Sequence, residues 1–528
     1  MARHPAGNQH SALALEAAAR TAWFALPRAR KSHVAWPHGV AIVGLIAVTL
    51  SFRLYRLDDI PGELYGDIAI IHNFVNSILH GERSLRFYLS EGPLYGYTIA
   101  PLVAVLGEQG YLPYKLASVL ISCVGVGLQF LLAWELSDFL LAAVAGFALG
   151  TSSWYLVFSR LGNSQILGPV ITLGCLYCLV VGIKRHSLTW SAAGLVVASL
   201  GYYLYPETFV LPVSYILCVI FYLPRKQWLT LLSLAVLLTV PFLSIVTHQT
   251  DLFLTSSGYI GSKLTSSSDA IQKIMRNIAA SVLMFHIRGD AEFRSNPPNM
   301  PQLDSISGLL FLLGAVYWSR RSRRHWLPLI VIPFVLLLVP ANLVLDEAQP
   351  TPSASRTLAI VPLVMLVVAG GLCFVAEKLA RWPWLQKSVL ASVLAGVLIL
   401  NWYRYFSAYA YNLPDHNTPY GKIIAEQIDA LPPNVSALVY SCCWGSWGQP
   451  ELAGIEDVLE RPRQVMFLPA GWFSCDRLTG MQRPLYIVWD PREAGAATTP
   501  ATCDPAAQVQ HYYDPYGGEV FVGYYLPP

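Results

Sequence analysis

The sequence predicts a mainly α protein: a polytopic transmembrane helix bundle with interfacial helices and a small C-terminal α/β domain. Three observations carry that expectation. The 528 residues are 54% hydrophobic and only 13% charged, against about a quarter charged in soluble chains, and mean hydropathy is +0.46. Long apolar stretches are separated by short basic clusters, as the positive-inside tendency requires. After residue 403 the chain turns polar and aromatic.

The domains expected are a basic cytoplasmic tail over 1–36, a transmembrane domain over 37–403, and an extracytoplasmic α/β domain over 404–528. The tail (Arg20, Arg28, Arg30, Lys31) is followed by no small-residue cleavage site, so no cleaved signal peptide is read. Apolar stretches fall near 37–53, 93–107, 112–136, 138–158, 163–183, 188–206, 208–223, 227–247, 305–319, 326–345, 357–376 and 389–403. Lys184-Arg185-His186, Pro224-Arg225-Lys226, Arg320 to Arg324 and Lys378 to Lys387 place their loops in the cytoplasm. Loops 53–93 and 248–304 are then outside, with everything after 403. Parity forces one stretch not to cross. The shortest, 93–107, is broken by glycine and proline and is assigned as re-entrant, leaving about 11 crossings. The membrane expected is a bacterial plasma membrane with the N-terminus inside.

Each outside loop carries an amphipathic pattern. From Asp67, Ile71, Phe74, Val75 and Ile78 recur at helical spacing, with His72, Asn73, Asn76 and His80 opposite. Such a helix lies in the headgroup plane with Asp67 in its first turn. That carboxylate either complements the helix dipole or does chemistry. Over 268–286, Ile271, Ile274, Met275, Ile278, Val282 and Phe285 form a second stripe, and Ser268-Asp269 reads as its N-cap. Beyond it, Arg288 and Arg294 either pair with Asp290 and Glu292 or bind an anion. The C-terminal region predicts a helix near 419–431 and strands near 436–441, 463–468, 484–490 and 519–526, opened by an interfacial aromatic run, Trp402 to Phe406. Of nine cysteines, Cys123, Cys175, Cys178, Cys218 and Cys373 read as packing residues. Cys475 and Cys503 could pair with Cys442 or Cys443 in an oxidising compartment. None has zinc-site spacing, and Asn434-Val435-Ser436 reads as a chance glycosylation match.

No P-loop, dinucleotide fingerprint or Gly-x-Ser-x-Gly elbow is present. An activated substrate for the outside face must therefore arrive in the membrane, and a lipid-phosphate-linked sugar meets that need. Its transfer wants a base for the acceptor hydroxyl, cations for the departing phosphate and an apolar groove for the tail. Asp67 and Glu91 supply carboxylates, and Arg160, Arg288, Arg294 and Arg356 supply guanidinium groups.

Four segments resemble a known family. Leu57 to Asp67 followed by Glu91-Gly92-Pro93-Leu94-Tyr95 resembles the first loop of the GT-C membrane glycosyltransferases, within them the family 39 group of bacterial protein O-mannosyltransferases and the aminoarabinose transferase. Phe158-Ser159-Arg160-Leu161-Gly162, Gly201 to Glu207 and Phe285 to Leu303 resemble further segments of that group. The resemblance spans most of 40–400 and implies a GT-C-like bundle. It implies Asp67 as the catalytic carboxylate with Glu91 beside it, and Arg288 and Arg294 as donor-phosphate ligands with Arg160 and Arg356. Tyr65, Tyr205, Glu207 and Asp290 would line the substrate cavity. Many members carry Asp-Glu where this chain has Asp67-Ile68, so no metal site is assigned, and a divalent cation is left open. The function expected is transfer of a sugar from a polyprenyl-phosphate donor to an extracytoplasmic protein, glycan or lipid, with inversion and Asp67 as base. The partners are that donor, the acceptor and the bilayer, with no nucleic acid. The competing readings are a transporter or flippase of a lipid-linked substrate and a silent scaffold. The absence of an internal repeat weighs against a transporter.

Overall fold

A computed structural model describes residues 36–528 apart from 65–67, 83–84, 88–90, 108–109, 261–263, 265–268, 347–350, 442 and 461–464. Asp67, Tyr65, Cys442 and Ser268 thus lie outside the described residues, as does the basic tail.

Among the described residues, six helices are long and apolar enough to cross a membrane, or seven if the pair Phe139–Thr151 and Ser153–Ser159, bent by 60°, is one span. The chain is an integral membrane protein. Shorter apolar helices complete the bundle, among them His38–Leu54, Leu94–Leu106 and Ser305–Ser319. The glycine- and proline-broken stretch 93–107 forms the 13-residue helix Leu94–Leu106 with Pro101 inside it. Around 200–210 the apolar run breaks into two 3₁₀ turns, Leu200–Tyr203 and Pro206–Val210. Pro206 lacks the N–H that a continuous helix would need there.

Burial sorts the spans into centre and rim. Val361–Lys378 lies at the centre, lined by buried residues along almost its whole length, whereas only Leu231 and Phe242 are buried in Arg225–His248 and only Val397 and Asn401 in Pro383–Tyr403. The two rim spans face lipid. Small residues allow the central contact: a Cβ on Gly314 would lie 1.8 Å from the Val367 carbonyl oxygen, and one on Gly371 2.0 Å from that of Leu310. Backbones this close gain dispersion and weak C–H···O contacts where lipid offers no hydrophobic drive.

The helix expected over 268–286 forms over Ala270–Leu283. Its stripe points outward, with Ile271 80%, Met275 61% and Val282 60% exposed, as suits a helix lying against acyl chains. Its buried side is polar. Asn277 Nδ2 donates to the carbonyls of Asn342 (3.2 Å) and Val344 (2.8 Å), and Ser281 Oγ donates to Asn342 Oδ1 (2.7 Å). Phe285 was placed on that stripe, but it follows the helix end and turns into the core. Asp269 takes the N-cap position without a side-chain capping bond.

The C-terminal domain is a five-stranded sheet in the order β2-β1-β3-β5-β4. β1 (Ser436–Tyr440) pairs in parallel with β2 (Val465–Leu468) and β3 (Leu485–Trp489), and β5 (Glu519–Leu526) runs antiparallel to β3 and to β4 (Gln508–Tyr513). β4 was not expected: its residues are mostly exposed, so no apolar alternation marks it. The helix Tyr420–Asp429 packs on one face. Cys475 and Cys503 are bonded to each other, which corrects the expected pairing of each with Cys442 or Cys443. Sequence gives cysteine positions but not which thiols the sheet brings together.

Candidate functional site

The first long loop, expected outside, begins where Trp36–Leu54 ends, and buried cations hold its backbone. Arg160 Nη1 donates to the carbonyls of Phe52 (2.9 Å) and Tyr55 (2.8 Å), and Nη2 to those of Arg56 (2.8 Å) and Ile60 (3.3 Å). Its guanidinium also lies over the Tyr405 ring at 5.0 Å. Lys115 Nζ donates to the carbonyls of Leu57 (2.9 Å), Asp58 (3.1 Å) and Pro61 (2.5 Å). A loop with no ladder of its own must satisfy its buried carbonyls somehow, and here two side chains from other spans do so. Nothing in the sequence singled out Lys115. A lysine inside an apolar span was the available signal.

The helix expected from Asp67 forms over Ile68–Leu79. Ile71, Phe74 and Val75 are buried as the stripe predicts, but His72, expected on the opposite, polar side, is buried too. Its Nδ1 lies 2.8 Å from Asp457 Oδ2 of the C-terminal domain, and its ring stacks on Tyr114. The helix is thus buried on its apolar stripe and at His72, while Ile70 and Asn73 stay exposed. Upstream, Glu63 is buried and accepts from Gly421 N (2.5 Å) and Leu64 N (3.0 Å). Burial pushes its carboxyl up to about 7, against the two N–H donors; nearby Glu451 adds to the rise and Lys115 opposes it.

Glu91 is buried on the far side of the loop and accepts from Gln165 Nε2 across 3.4 Å. Gly92 N donates to the Leu204 carbonyl (3.2 Å), and a Cβ there would meet the Tyr203 carbonyl at 2.4 Å, which explains the glycine. That contact joins Glu91 to the 3₁₀ break. Tyr205, in the break, interacts electrostatically with Tyr259, Arg356 and Glu207. Glu207, fully buried, accepts from Ala359 N (3.0 Å). Asp290 accepts from Ala354 N (2.6 Å) and Glu292 N (2.8 Å). Burial raises its carboxyl to about 6; those two N–H groups, and then the Arg356 charge, work against the rise.

Of the residues singled out by sequence, Tyr205, Glu207, Asp290 and Arg356 interact as one polar wall, and Glu91 adjoins it through the neighbouring Gly92 N–Leu204 O bond. Arg160 sits behind the loop with its Nη groups on carbonyls. Arg288 is exposed and donates to Asn299 Oδ1 (2.9 Å). Arg294 pairs with Glu292 (3.3 Å) and lies over Trp447 of the C-terminal domain at 5.6 Å. The expected ion pairing is therefore right for Arg294 and Glu292, whereas Asp290 takes backbone donors. Among the described residues no three of His, Cys, Asp and Glu converge as a cation cage would require.

No protein-family model matches the sequence, and no curated protein matches it. Solved structures do. ArnT from Cupriavidus metallidurans bound to undecaprenyl phosphate superposes with a TM-score of 0.56 at 13% identity, over 94% of this chain and 98% of that one. The archaeal oligosaccharyltransferase AglB from Archaeoglobus fulgidus, in complex with an inhibitory peptide and a dolichol-phosphate, matches at 0.50 and 12% identity, over 92% of this chain and 74% of that one. The architecture is the GT-C fold that the four sequence segments resemble.

Proposed function

We propose that this chain is an integral-membrane glycosyltransferase that moves a sugar from a polyprenyl-phosphate carrier to an acceptor hydroxyl outside the cytoplasm. The observation that carries the reading is the buried polar wall of Tyr205, Glu207, Asp290 and Arg356, with buried Glu91 joined to it through the Gly92 N–Leu204 O bond. Three buried carboxylates, Glu91, Glu207 and Asp290, are costly in a membrane bundle and mark a functional region by default. The likeness to a protein solved with undecaprenyl phosphate, over nearly the full length of both chains, supports it.

In this reading Asp67 accepts the acceptor's hydroxyl proton as the oxygen attacks the anomeric carbon. The bond from that carbon to the phosphate oxygen breaks from the opposite face, so the configuration inverts. The polyprenyl phosphate leaves with the bonding electrons, and Arg356 stabilises the charge it carries off, with Arg288 and Arg294 as further candidates at the rim. Glu91 holds the acceptor or sugar hydroxyls by accepting hydrogen bonds. Arg160 serves the loop backbone. No step is routed through a divalent cation.

The test uses the full-length protein in lipid nanodiscs with labelled polyprenyl-phosphate sugars and an envelope extract as acceptor source. Label should move to a non-lipid or larger product, and Asp67→Asn should lower the rate by at least about a thousandfold while the variant folds normally. Undiminished transfer by Asp67→Asn removes Asp67 as base. Movement of intact carrier between leaflets of proteoliposomes, with no transfer, replaces the reading with a flippase.

A further inference from the structure

The C-terminal domain grips the first long loop on both sides of residues 65–67. On the upstream side Asn417 accepts from Gly62 N (2.7 Å) and donates to the Asp59 carbonyl (2.8 Å). Gly421 N, at the start of the helix Tyr420–Asp429, donates to the buried Glu63 carboxyl. Only small residues admit that carboxyl: a Cβ on Gly421 would lie 2.9 Å from Glu63 Oε1, and one on Gly454 3.0 Å. On the downstream side Asp457 takes His72, about one turn into the helix that follows Asp67. The Asp457 carbonyl also accepts from Gly110 N (2.9 Å).

Packing alone does not call for these groups. A buried carboxyl and a buried imidazole each carry a desolvation cost that an apolar pair of the same shape would avoid. What polar pairs supply, and apolar ones do not, is a single register between two surfaces, because each donor finds its acceptor in one position only. Both pins fall within a few residues of Asp67, one before it and one after.

We propose that Glu63 and the His72–Asp457 pair are positioning residues: they lock the C-terminal domain onto both flanks of Asp67 and so couple the seating of that domain to sugar transfer. The proposal rests on the glycosyltransferase reading for its activity readout, and on geometry for everything else. In this arrangement any ligand that shifts the domain shifts the catalytic loop.

Glu63 makes the lock pH-sensitive. Its carboxyl is faced by Lys115, which is committed to the carbonyls of Leu57, Asp58 and Pro61, by Glu451, and at the rim by the Lys422–Asp58 pair. The seated domain holds the neutral acid. Seating therefore gains as pH falls through about 7, and the gain is complete below about 4.5, where the released loop is protonated as well. Between about 4.5 and about 7 the seating constant falls roughly tenfold per pH unit as pH rises, and above about 7 it levels off.

Hydrogen exchange of the 57–79 amides, on the full-length protein in nanodiscs, reads the lock without reference to activity. After correction for intrinsic rates, wild-type exchange should rise by about sevenfold from pH 5.5 to pH 6.5 and by less than about twofold from pH 7 to pH 8, and Glu63→Gln should remove the rise. Asp457→Ala should speed exchange of the Ile68–Leu79 helix at every pH. Asp457→Asn, which keeps an acceptor for Nδ1–H, should restore it. In transfer assays Asp457→Ala should lower kcat about tenfold with undecaprenyl phosphate binding and melting temperature unchanged. Unaltered exchange in both Glu63→Gln and Asp457→Ala overturns the proposal, as does parallel loss of undecaprenyl phosphate binding. Full transfer by Asp67→Asn would sink the base assignment while leaving the exchange result standing.

Discussion

The two flanks of the first long loop are fixed by opposite means. Upstream, residues 52–61 are held from a distance: Arg160 and Lys115 reach in from other spans and bind seven carbonyls between them. Downstream, Gly92 is held by backbone contact, with its N–H on the Leu204 carbonyl and no room for a side chain. The first device tolerates an irregular backbone because long cations adapt to it. The second fixes Glu91 relative to the 3₁₀ break within the length of one hydrogen bond. A scaffold built of cations and a site built of close backbone contacts therefore adjoin in one loop, and a substitution on each side reports on a different property.

The largest effect is expected upstream. Arg160→Ala removes the donors of four carbonyls in a place water reaches poorly, at about 1–3 kcal/mol for each group left unsatisfied. The loss should exceed about 4 kcal/mol and abolish stable accumulation of the protein, while Arg160→Lys keeps part of it. Thermal melting of the purified variants checks this. If Arg160→Ala instead melts like wild type and fails to bind undecaprenyl phosphate, the arginine is a phosphate ligand and the division between the flanks collapses.

Downstream the effect should be on rate. Glu91→Gln keeps the shape and an acceptor for Gln165 but removes the charge from the polar wall. Transfer should fall about a hundredfold, some 2.7 kcal/mol of transition-state stabilisation, with melting within about a degree or two of wild type. A large drop in melting temperature with residual activity in proportion to folded protein would make Glu91 a structural group like its neighbours upstream.

The sequence made the helix bundle and four of the five C-terminal strands legible because apolar length and alternation encode them directly. It could not separate Arg160 from Arg356, because an arginine at the mouth of a span looks the same whether it meets backbone carbonyls or sits near a carboxylate. His72 was misplaced for a related reason. Helical periodicity assumes one wet side, and the C-terminal domain, almost 400 residues away in the chain, covers that side. β4 escaped because an exposed edge strand has no apolar face to alternate. The Arg294–Glu292 pair is one of the two readings the sequence leaves open, and it is available because the two are close in sequence and of opposite charge.

Asp290 braces the polar wall from a third segment and should show its burial in pH titration. Its carboxyl is raised to about 6 in the folded protein, so the native state binds the proton more tightly than the unfolded chain does. Stability should increase as pH falls from about 7 to about 5, by roughly 1 kcal/mol from this group, and the increment should disappear in Asp290→Asn. Glu63 acts in the same direction, so the informative quantity is the difference between wild type and variant at each pH. Equal slopes for the two proteins would mean that Asp290 is ionised when folded and that Arg356 dominates its surroundings.

The smallest effect belongs to the rim. Lys422 pairs with Asp58 at 2.8 Å, but both side chains are more than a third exposed. Solvent and salt screen such a pair, and ordering two long side chains offsets much of the attraction. Lys422→Ala should shift stability by no more than about 0.5 kcal/mol and leave the exchange of the loop amides unchanged. Asn417→Ala, at the same junction, removes a half-buried acceptor from Gly62 and a donor from Asp59, and should cost about 1–2 kcal/mol. The upstream flank is thus held by its buried hydrogen bonds, with the surface charges adding little. A Lys422→Ala variant that loosens the loop more than Asn417→Ala would reverse that ranking and make long-range charge, which salt would then weaken, the force that seats the domain.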